Sequence, residues 1–419
     1  MRLVYNMLLY IVAPFALLMH LWRGLRDPSY RERLGERFGL GAGLPGETIW
    51  IHAVSVGEVQ AAEPLVRQLL ERHPRYTVLI TTVTPTGAAR VRQLFGTTIQ
   101  LRYVPFDLPG SVRRFFDRVR PRLAMILETE LWPNLYAECG RRDVPLVLAS
   151  ARISPRSVGR YRRMVPLFRQ TLAHGIVIAA QSDVDAERFR SIGAAPERTH
   201  VTGNIKFDFQ TPAGVGERGA RWRAENAPGR PVWVAGSTHE GEEDVILNAH
   251  RRVRERIPAA LLILVPRHPQ RFDVVREQLA RRGEAFAIRS AGTTVPETTT
   301  VVLGDTMGEL MMFYAAGDVA FVAGSLVPVG GHNLLEPASL GLPVLTGPHN
   351  FNSEAVAQLL LEAGAARVVK DAEKLADGVV SLLGDTDHRV RMGAAGRAVL
   401  DANRGALDRL LRLVDPLLD

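Results

Sequence analysis

Glutamate recurs at one kind of position in this chain. Four junctions carry Ser, Thr or Asn three residues ahead of Glu: Ser55-Val56-Gly57-Glu58, Ser237-Thr238-His239-Glu240, Thr306-Met307-Gly308-Glu309 and Asn333-Leu334-Leu335-Glu336. Each follows an apolar run, and the spacing predicts capping boxes that satisfy bare N–H groups at helix starts. Strand-to-helix turns are also where parallel α/β proteins hold ligands, because helix N-termini direct N–H groups and partial positive charge at anions. Glu58 and the run Glu128-Thr129-Glu130 both follow apolar stretches. A carboxylate at the carboxyl end of a strand is placed to act as general base on a hydroxyl. Capping alone would account for all four glutamates, and at any one of them it is compatible with a catalytic role.

The second half adds turns suited to a nucleotide. Asp305–Leu310 and the Gly330–Pro337 loop are glycine-containing turns, which let backbone N–H groups approach a phosphate and a carboxylate reach a ribose hydroxyl. Pro266-Arg267-His268-Pro269 follows another apolar run and contributes a cation. Of 52 basic residues only Lys206, Lys370 and Lys374 are lysines. Lys206, within Gly203-Asn204-Ile205-Lys206-Phe207-Asp208, is the single lysine of the front half, a compact ammonium suited to a small anion, although chance placement explains it equally well.

Several familiar chemistries are excluded. There is no GxxxxGK[ST] phosphate loop, no GxGxxG after the first apolar run and no GxSxG elbow. His239-Glu240-Gly241-Glu242-Glu243 resembles a zinc-protease motif, but Glu243 stands where the second histidine is required. One cysteine, Cys139, rules out an intrachain disulfide and a cysteine-rich metal site. No metal site and no cofactor are expected.

These residues need a scaffold. From Thr48 apolar runs alternate with helical patterns: Thr48–Val54, Tyr76–Thr82, Ile99–Val104, Leu123–Leu127, Leu146–Ala149 and Ile176–Ala180. The pattern restarts at Pro231–Ala235, Ala260–Val265, Thr299–Leu303, Val319–Val322, Pro343–Leu345 and Ala366–Val369. Such alternation predicts an α/β protein of two doubly wound, Rossmann-like domains facing a central cleft. The segment 209–230, rich in Gly, Ala and Pro with no strand pattern, is read as the linker. That places a first domain at 41–208 and a second at 231–419, with the closing helix Leu407–Leu418, which could pack on either domain, grouped with the latter.

Charge and hydropathy divide the chain further. Residues 1–206 hold 29 basic and 17 acidic residues, while 207–419 hold 23 and 27, so the front is strongly basic and the back mildly acidic. A polyanionic ligand or an anionic membrane surface fits the front half. Nucleic acid is disfavoured, since no helix-turn-helix, zinc-finger or RNA-recognition signature is present. Leu3–Trp22 is long and apolar enough to cross a bilayer, with Asn6, Pro14 and His20 weakening it. The arginines at 23, 26, 31, 33 and 37 then predict a cytoplasmic body, and 1–40 reads as a membrane anchor with a basic flank. A helix lying on the surface and a helix buried in protein remain open alternatives. Two Arg-and-aromatic stretches, Val112–Arg120 and Arg156–Arg169, fit membrane-surface helices or ordinary surface helices with a core stripe.

Taken together the strings HAVSVGE (52–58), TTVTPTG (81–87), LETELWPN (127–134), VTGNIKFD (201–208), STHEGEE (237–243), ILVPRHPQRF (263–272), GDTMGEL (304–310) and GGHNLLEP (330–337) resemble the 3-deoxy-D-manno-octulosonic acid (Kdo) transferases of lipopolysaccharide synthesis. The resemblance keeps the family's order and runs nearly the whole chain. It implies a GT-B glycosyltransferase that moves Kdo from CMP-Kdo to lipid IVA, the lipid A precursor, with inversion and without a metal. It also implies residence at the bacterial inner membrane, with the catalytic domains on the cytoplasmic side. By motif, Glu58 corresponds to the base, and Glu128 and Lys206 to groups stabilising the transition state. Pro266, Arg267, Met307, Gly308, Glu309, Asn333, Leu334, Leu335 and Glu336 correspond to CMP contacts. The alternatives are a GT-B enzyme using a UDP-sugar on another membrane lipid, a nucleotide-sugar epimerase or hydrolase, and a non-catalytic nucleotide sensor. The number of Kdo units transferred and the oligomeric state are not legible in the sequence.

Overall fold

The apolar runs become strands because they are covered on both faces, as parallel sheets flanked by helices require. The computed structural model describes residues 2–128, 130–153, 158–159, 175–292 and 294–419. It divides into two compact units, 1–208 with 403–419, and 209–402. The stretch Arg156–Arg169, apart from Val158 and Gly159, lies outside the described residues.

The first unit contains a seven-stranded parallel sheet of β1 (Thr48–His52), β2 (Thr77–Thr82), β3 (Gln100–Tyr103), β4 (Pro121–Leu127), β5 (Leu146–Ala151), β6 (Val177–Ala180) and β7 (Thr199–Val201). Its order is β3-β2-β1-β4-β5-β6-β7. Every residue of β1 is buried, and alternate side chains enter opposite layers. Trp50 meets Phe115 and Phe116 edge-on, at 4.9 and 5.8 Å between ring centres. Ile49 and Ile51 share the other layer with Val59, Leu65 and Leu69. Phe115 and Phe116 are therefore core residues of the helix Pro109–Val119, which settles that Arg-and-aromatic stretch as a surface helix with a core stripe.

The second unit repeats the plan with β8 (Val232–Thr238), β9 (Leu261–Pro266), β10 (Phe286–Ile288), β11 (Val301–Leu303), β12 (Val319–Val322), β13 (Val344–Thr346) and β14 (Ala366–Val368). The order is β10-β11-β9-β8-β12-β13-β14, again all parallel. In both sheets chain progression reverses beside the first strand, between β1 and β4 and between β8 and β12. Ligands of open α/β sheets bind outside the carboxyl ends at such switch points.

Two boundaries differ from the sequence expectation. The segment read as a linker holds a helix, Val215–Asn226, whose buried Trp222 packs edge-on against Phe313 at 5.7 Å and thereby joins the second unit. The six Gly, Ala and Pro residues of 212–220 mask the apolar positions Val215 and Trp222 that anchor it. The closing helix, Ala406–Leu418, belongs to the first unit rather than the second. The Asp208 carboxylate accepts the Gly405 and Leu407 N–H groups at 2.6 Å each, and Leu410, Leu411, Val414 and Leu418 are buried against the first core.

Candidate active site

At the switch point of the first sheet, β1 delivers Glu58 and β4 delivers Glu128. Ser55 is the N-cap of the helix Val56–Arg72. Its hydroxyl accepts the Glu58 N–H at 3.4 Å and donates to the Glu58 carboxylate at 3.0 Å, and the carboxylate also accepts the Val54 N–H at 2.8 Å. The Ser55 cap expected here is formed, with the return bond of Glu58 going to the Val54 N–H one residue ahead of the N-cap, and it fixes the carboxyl at the sheet edge. Burial pushes the Glu58 carboxyl up to about 7 from 4.5, with the neighbouring Glu128 charge adding to the rise. A base tuned close to neutral pH accepts a proton more readily than an ordinary carboxylate.

Glu128 holds a left-handed backbone, φ 58°, immediately after β4. A non-glycine residue in that region is strained and persists only where its surroundings demand it. Its carboxylate accepts a hydrogen bond from Lys206 Nζ at 2.7 Å. The GNIKFD segment is what carries Lys206 there: Asn204 Oδ1 accepts the Lys206 N–H at 3.0 Å, and Ser150 Oγ accepts the Ile205 N–H at 3.1 Å. Ser150 is itself left-handed at a bulge in β5. Glu130 completes the cluster, its carboxyl raised by burial and accepting the Trp132 indole N–H at 2.6 Å. The three predicted catalytic residues thus converge on one edge of one unit.

The second sheet gathers a different set. His239 follows β8, Arg267 and His268 follow β9, and His332 lies in the loop after β12. The His239 and His332 rings are nearly parallel, with Nε2 atoms 2.8 Å apart, so one imidazole donates to the other. Burial holds His239 down at about 4 and His332 at about 3, with Arg267 adding to both shifts. His268 meets His239 edge-on at 5.3 Å. The pair is separated by 93 residues, and no spacing in the sequence announces it.

The predicted nucleotide contacts occupy this same edge. Pro266 ends β9, and the Arg267 N–H donates to the Thr238 carbonyl at 3.0 Å. Met307 is exposed and Gly308 takes a left-handed φ of 86° in the turn after β11, the strand beside β9. Glu309 pairs with Arg289 at 2.9 Å, which holds its carboxyl below the usual range. Asn333 Oδ1 accepts the Leu335 N–H at 3.1 Å, and its amide donates to Glu336 at 3.3 Å. Leu334 and Leu335 have buried side chains, so only their backbone can meet a ligand.

Three of the four expected capping boxes are not formed: the helix Leu335–Ser339 begins at an N-cap Leu334 with no side-chain hydrogen bond, Asn333 bonding the Leu335 N–H instead. Glu240 is exposed, because Ser237 and Thr238 still belong to β8 and Gly241 is the N-cap of the helix Glu242–Arg256. Thr306 donates to the Glu309 carboxylate, but the following helix has no side-chain cap. The working carboxylate after β8 is Glu242, missed because it lies two residues beyond the expected position. It is fully buried and accepts the N–H groups of His239, Gly324, Ser325 and Leu326 at 2.7–3.0 Å. One side chain therefore ties the loops of β8 and β12 across the switch point. Glu242→Ala strands four N–H groups, and a loss of roughly 2–3 kcal/mol in unfolding free energy is expected. Chemical denaturation that left the midpoint unchanged would contradict this role.

Comparison with known proteins agrees with these geometries. Residues 32–209 match the family model 3-Deoxy-D-manno-octulosonic-acid transferase (kdotransferase), and 237–399 match glycosyl transferases group 1. A 3-deoxy-D-manno-octulosonic acid transferase of Haemophilus influenzae is 43% identical over 100% of this chain and 99% of its own length. One from Bordetella pertussis is 40% identical over 98% of each. Among solved structures, UDP-GlcNAc 2-epimerase from Neisseria meningitidis bound to UDP-GlcNAc is 14% identical, with a TM-score of 0.56 over 87% of this chain and 100% of that chain. That likeness concerns the fold, the two-unit Rossmann-like GT-B plan expected from the sequence. Identity of this extent along the whole chain makes the protein a glycosyltransferase, and the chain belongs to the 3-deoxy-D-manno-octulosonic acid transferase family.

Proposed function

We propose that the chain transfers Kdo from CMP-Kdo to lipid IVA at the cytoplasmic face of a bacterial inner membrane, with inversion at the anomeric carbon. The observation that carries this reading is the Glu58 carboxyl, lifted to about 7 beside the Glu128–Lys206 pair at a switch point. Glu58 takes the proton of the acceptor hydroxyl as its oxygen bonds to Kdo C2. The bond from C2 to the phosphate oxygen breaks, and its electron pair leaves with CMP. Lys206 and Glu128 steady charge at the reacting centre, the ammonium offsetting negative charge where a neutral group could not.

CMP is gripped by Pro266, Arg267, Met307, Gly308, Glu309, Asn333, Leu334, Leu335 and Glu336. Arg267 offsets the phosphate charge, so the leaving group does not call for a divalent ion. Glu309 or Glu336 is suited to accept a ribose hydroxyl. The basic front half and the apolar N-terminal helix suit an acceptor that is an anionic lipid within a membrane surface.

Incubation with lipid IVA and either CMP-Kdo or UDP-GlcNAc, read by mass spectrometry, tests this directly. A mass increase of one or more Kdo units with CMP-Kdo alone is expected. Product from UDP-GlcNAc, or donor turnover without any lipid product, would replace the reading with one of the sequence-level alternatives.

A further inference from the structure

The helix Arg2–Arg26 is apolar enough to span a bilayer, yet one stripe of it is occupied. Every third or fourth residue, from Arg2 through Tyr5, Leu9, Ala13 and Leu17 to His20, is buried or half-buried, as are Asn6 and Ala16 beside that stripe, while the other residues between are exposed. That is the period of a helix lying lengthwise on a surface. Named contacts fasten both ends to the first unit. Tyr5 donates to Asp107 at 2.8 Å, Arg2 donates to the Asn134 side chain at 3.1 Å, and the Asn134 amide donates to Asn6 at 2.6 Å. At the other end the His20 ring meets Phe106 at 5.8 Å and Tyr30 at 6.4 Å.

Phe106 and Asp107 are consecutive residues, yet they touch helix positions about 22 Å apart at 1.5 Å per residue. A spanning helix would carry Arg2, Tyr5 and Asn6 to the far side of a hydrocarbon layer about 30 Å thick. The Asp107 and Asn134 groups that hold them would have to follow, taking with them the edge of a folded polar domain. Those contacts and a spanning orientation exclude one another.

The outward side is apolar along the same length, with Leu3, Met7, Ile11, Phe15, Leu18 and Leu25 all exposed. A continuous patch of this size is covered in a functioning protein. The exposed Arg23 and Arg31 at its end match the negative surface of a cytoplasmic leaflet. Asp107 lies in the loop after β3 and Asn134 in the first turn of the helix Pro133–Arg141 that follows β4, on the same sheet edge as Glu58 and Glu128.

We infer that this helix lies in the plane of one membrane leaflet, docked along its length on the first unit, with both of its ends on the cytoplasmic side. The inference rests on the membrane reading given above. It brings the Glu58 edge of the first unit to the lipid surface, where a membrane-held acceptor presents its headgroup.

The test adds a short hydrophilic extension with one cysteine ahead of Met1 in the full chain, expressed in a Gram-negative host. The unextended chain, whose Cys139 is buried, gives the background. A membrane-impermeant maleimide should label the extension in inverted inner-membrane vesicles and in detergent, and leave it unlabelled in intact spheroplasts. Labelling in intact spheroplasts would overturn the in-plane orientation. Recovery of the chain in the soluble fraction after gentle lysis would instead overturn the membrane reading on which it rests.

Discussion

Glu58→Gln is expected to lower kcat for Kdo transfer by about 10²–10⁴, the range associated with loss of a positioned general base. KM for the donor should change little, because none of the proposed CMP contacts is touched. The substitution is nearly isosteric, and the variant should fold. Linkage supplies a second readout. Below pH 4.5 both folded and unfolded chains keep the Glu58 proton. Between 4.5 and about 7 the unfolded chain loses it first, so ionisation erodes stability as pH rises, and above 7 the penalty is constant. Gln removes that penalty, so the variant should be more stable than wild type at pH 8 by of order 1–2 kcal/mol once solvent access is allowed for. At pH 4 the difference should vanish. A variant that turned over near the wild-type rate would remove Glu58 from the mechanism.

Lys206→Ala should lower kcat by about 10²–10³, comparable to removing one preorganised donor from an active site. It also leaves Glu128 without its 2.7 Å partner on a strained backbone. Glu128→Gln separates positioning from charge. The Glu128 charge helps raise the Glu58 carboxyl, so its removal should move the acid limb of the pH profile to lower pH. A purely structural Glu128 would alter the rate without moving that limb. If kcat in both variants stayed within a few-fold of wild type, neither residue would belong to the transition-state machinery.

The periodic features of the chain were legible because burial on both faces writes continuous apolar runs, as in Thr48–His52 and Leu261–Pro266. β7 and β10 write no such run, because β7 offers Val201 as its one apolar residue and none of the three residues of β10 is fully buried. The closing helix carries an apolar stripe that fits any core, so its own residues do not say which unit it joins. What decides its place is Asp208, nearly two hundred residues earlier, capping it. Glu58 was legible as a cap, and the cap is real. The lift of its carboxyl comes first from burial and then from Glu128, which sequence could place only at the end of another strand. The neighbourhood of β1 and β4 is a property of sheet order, not of spacing. The same holds for the His239–His332 pair and for the hold of Glu242 on the Gly324–Leu326 turn. Both join the ends of β8 and β12, which become neighbours only when the sheet forms.

The pH dependence of kcat/KM for the acceptor, measured in parallel on wild type and Glu58→Gln at saturating CMP-Kdo, bears most directly on the base assigned here. Wild-type activity should fall on the acid side with an apparent midpoint near 7, as the Glu58 carboxyl takes up its proton. The residual activity of the variant should lack that limb. The same limb persisting in Glu58→Gln would show that another group accepts the hydroxyl proton, and the assignment of Glu58 would fall.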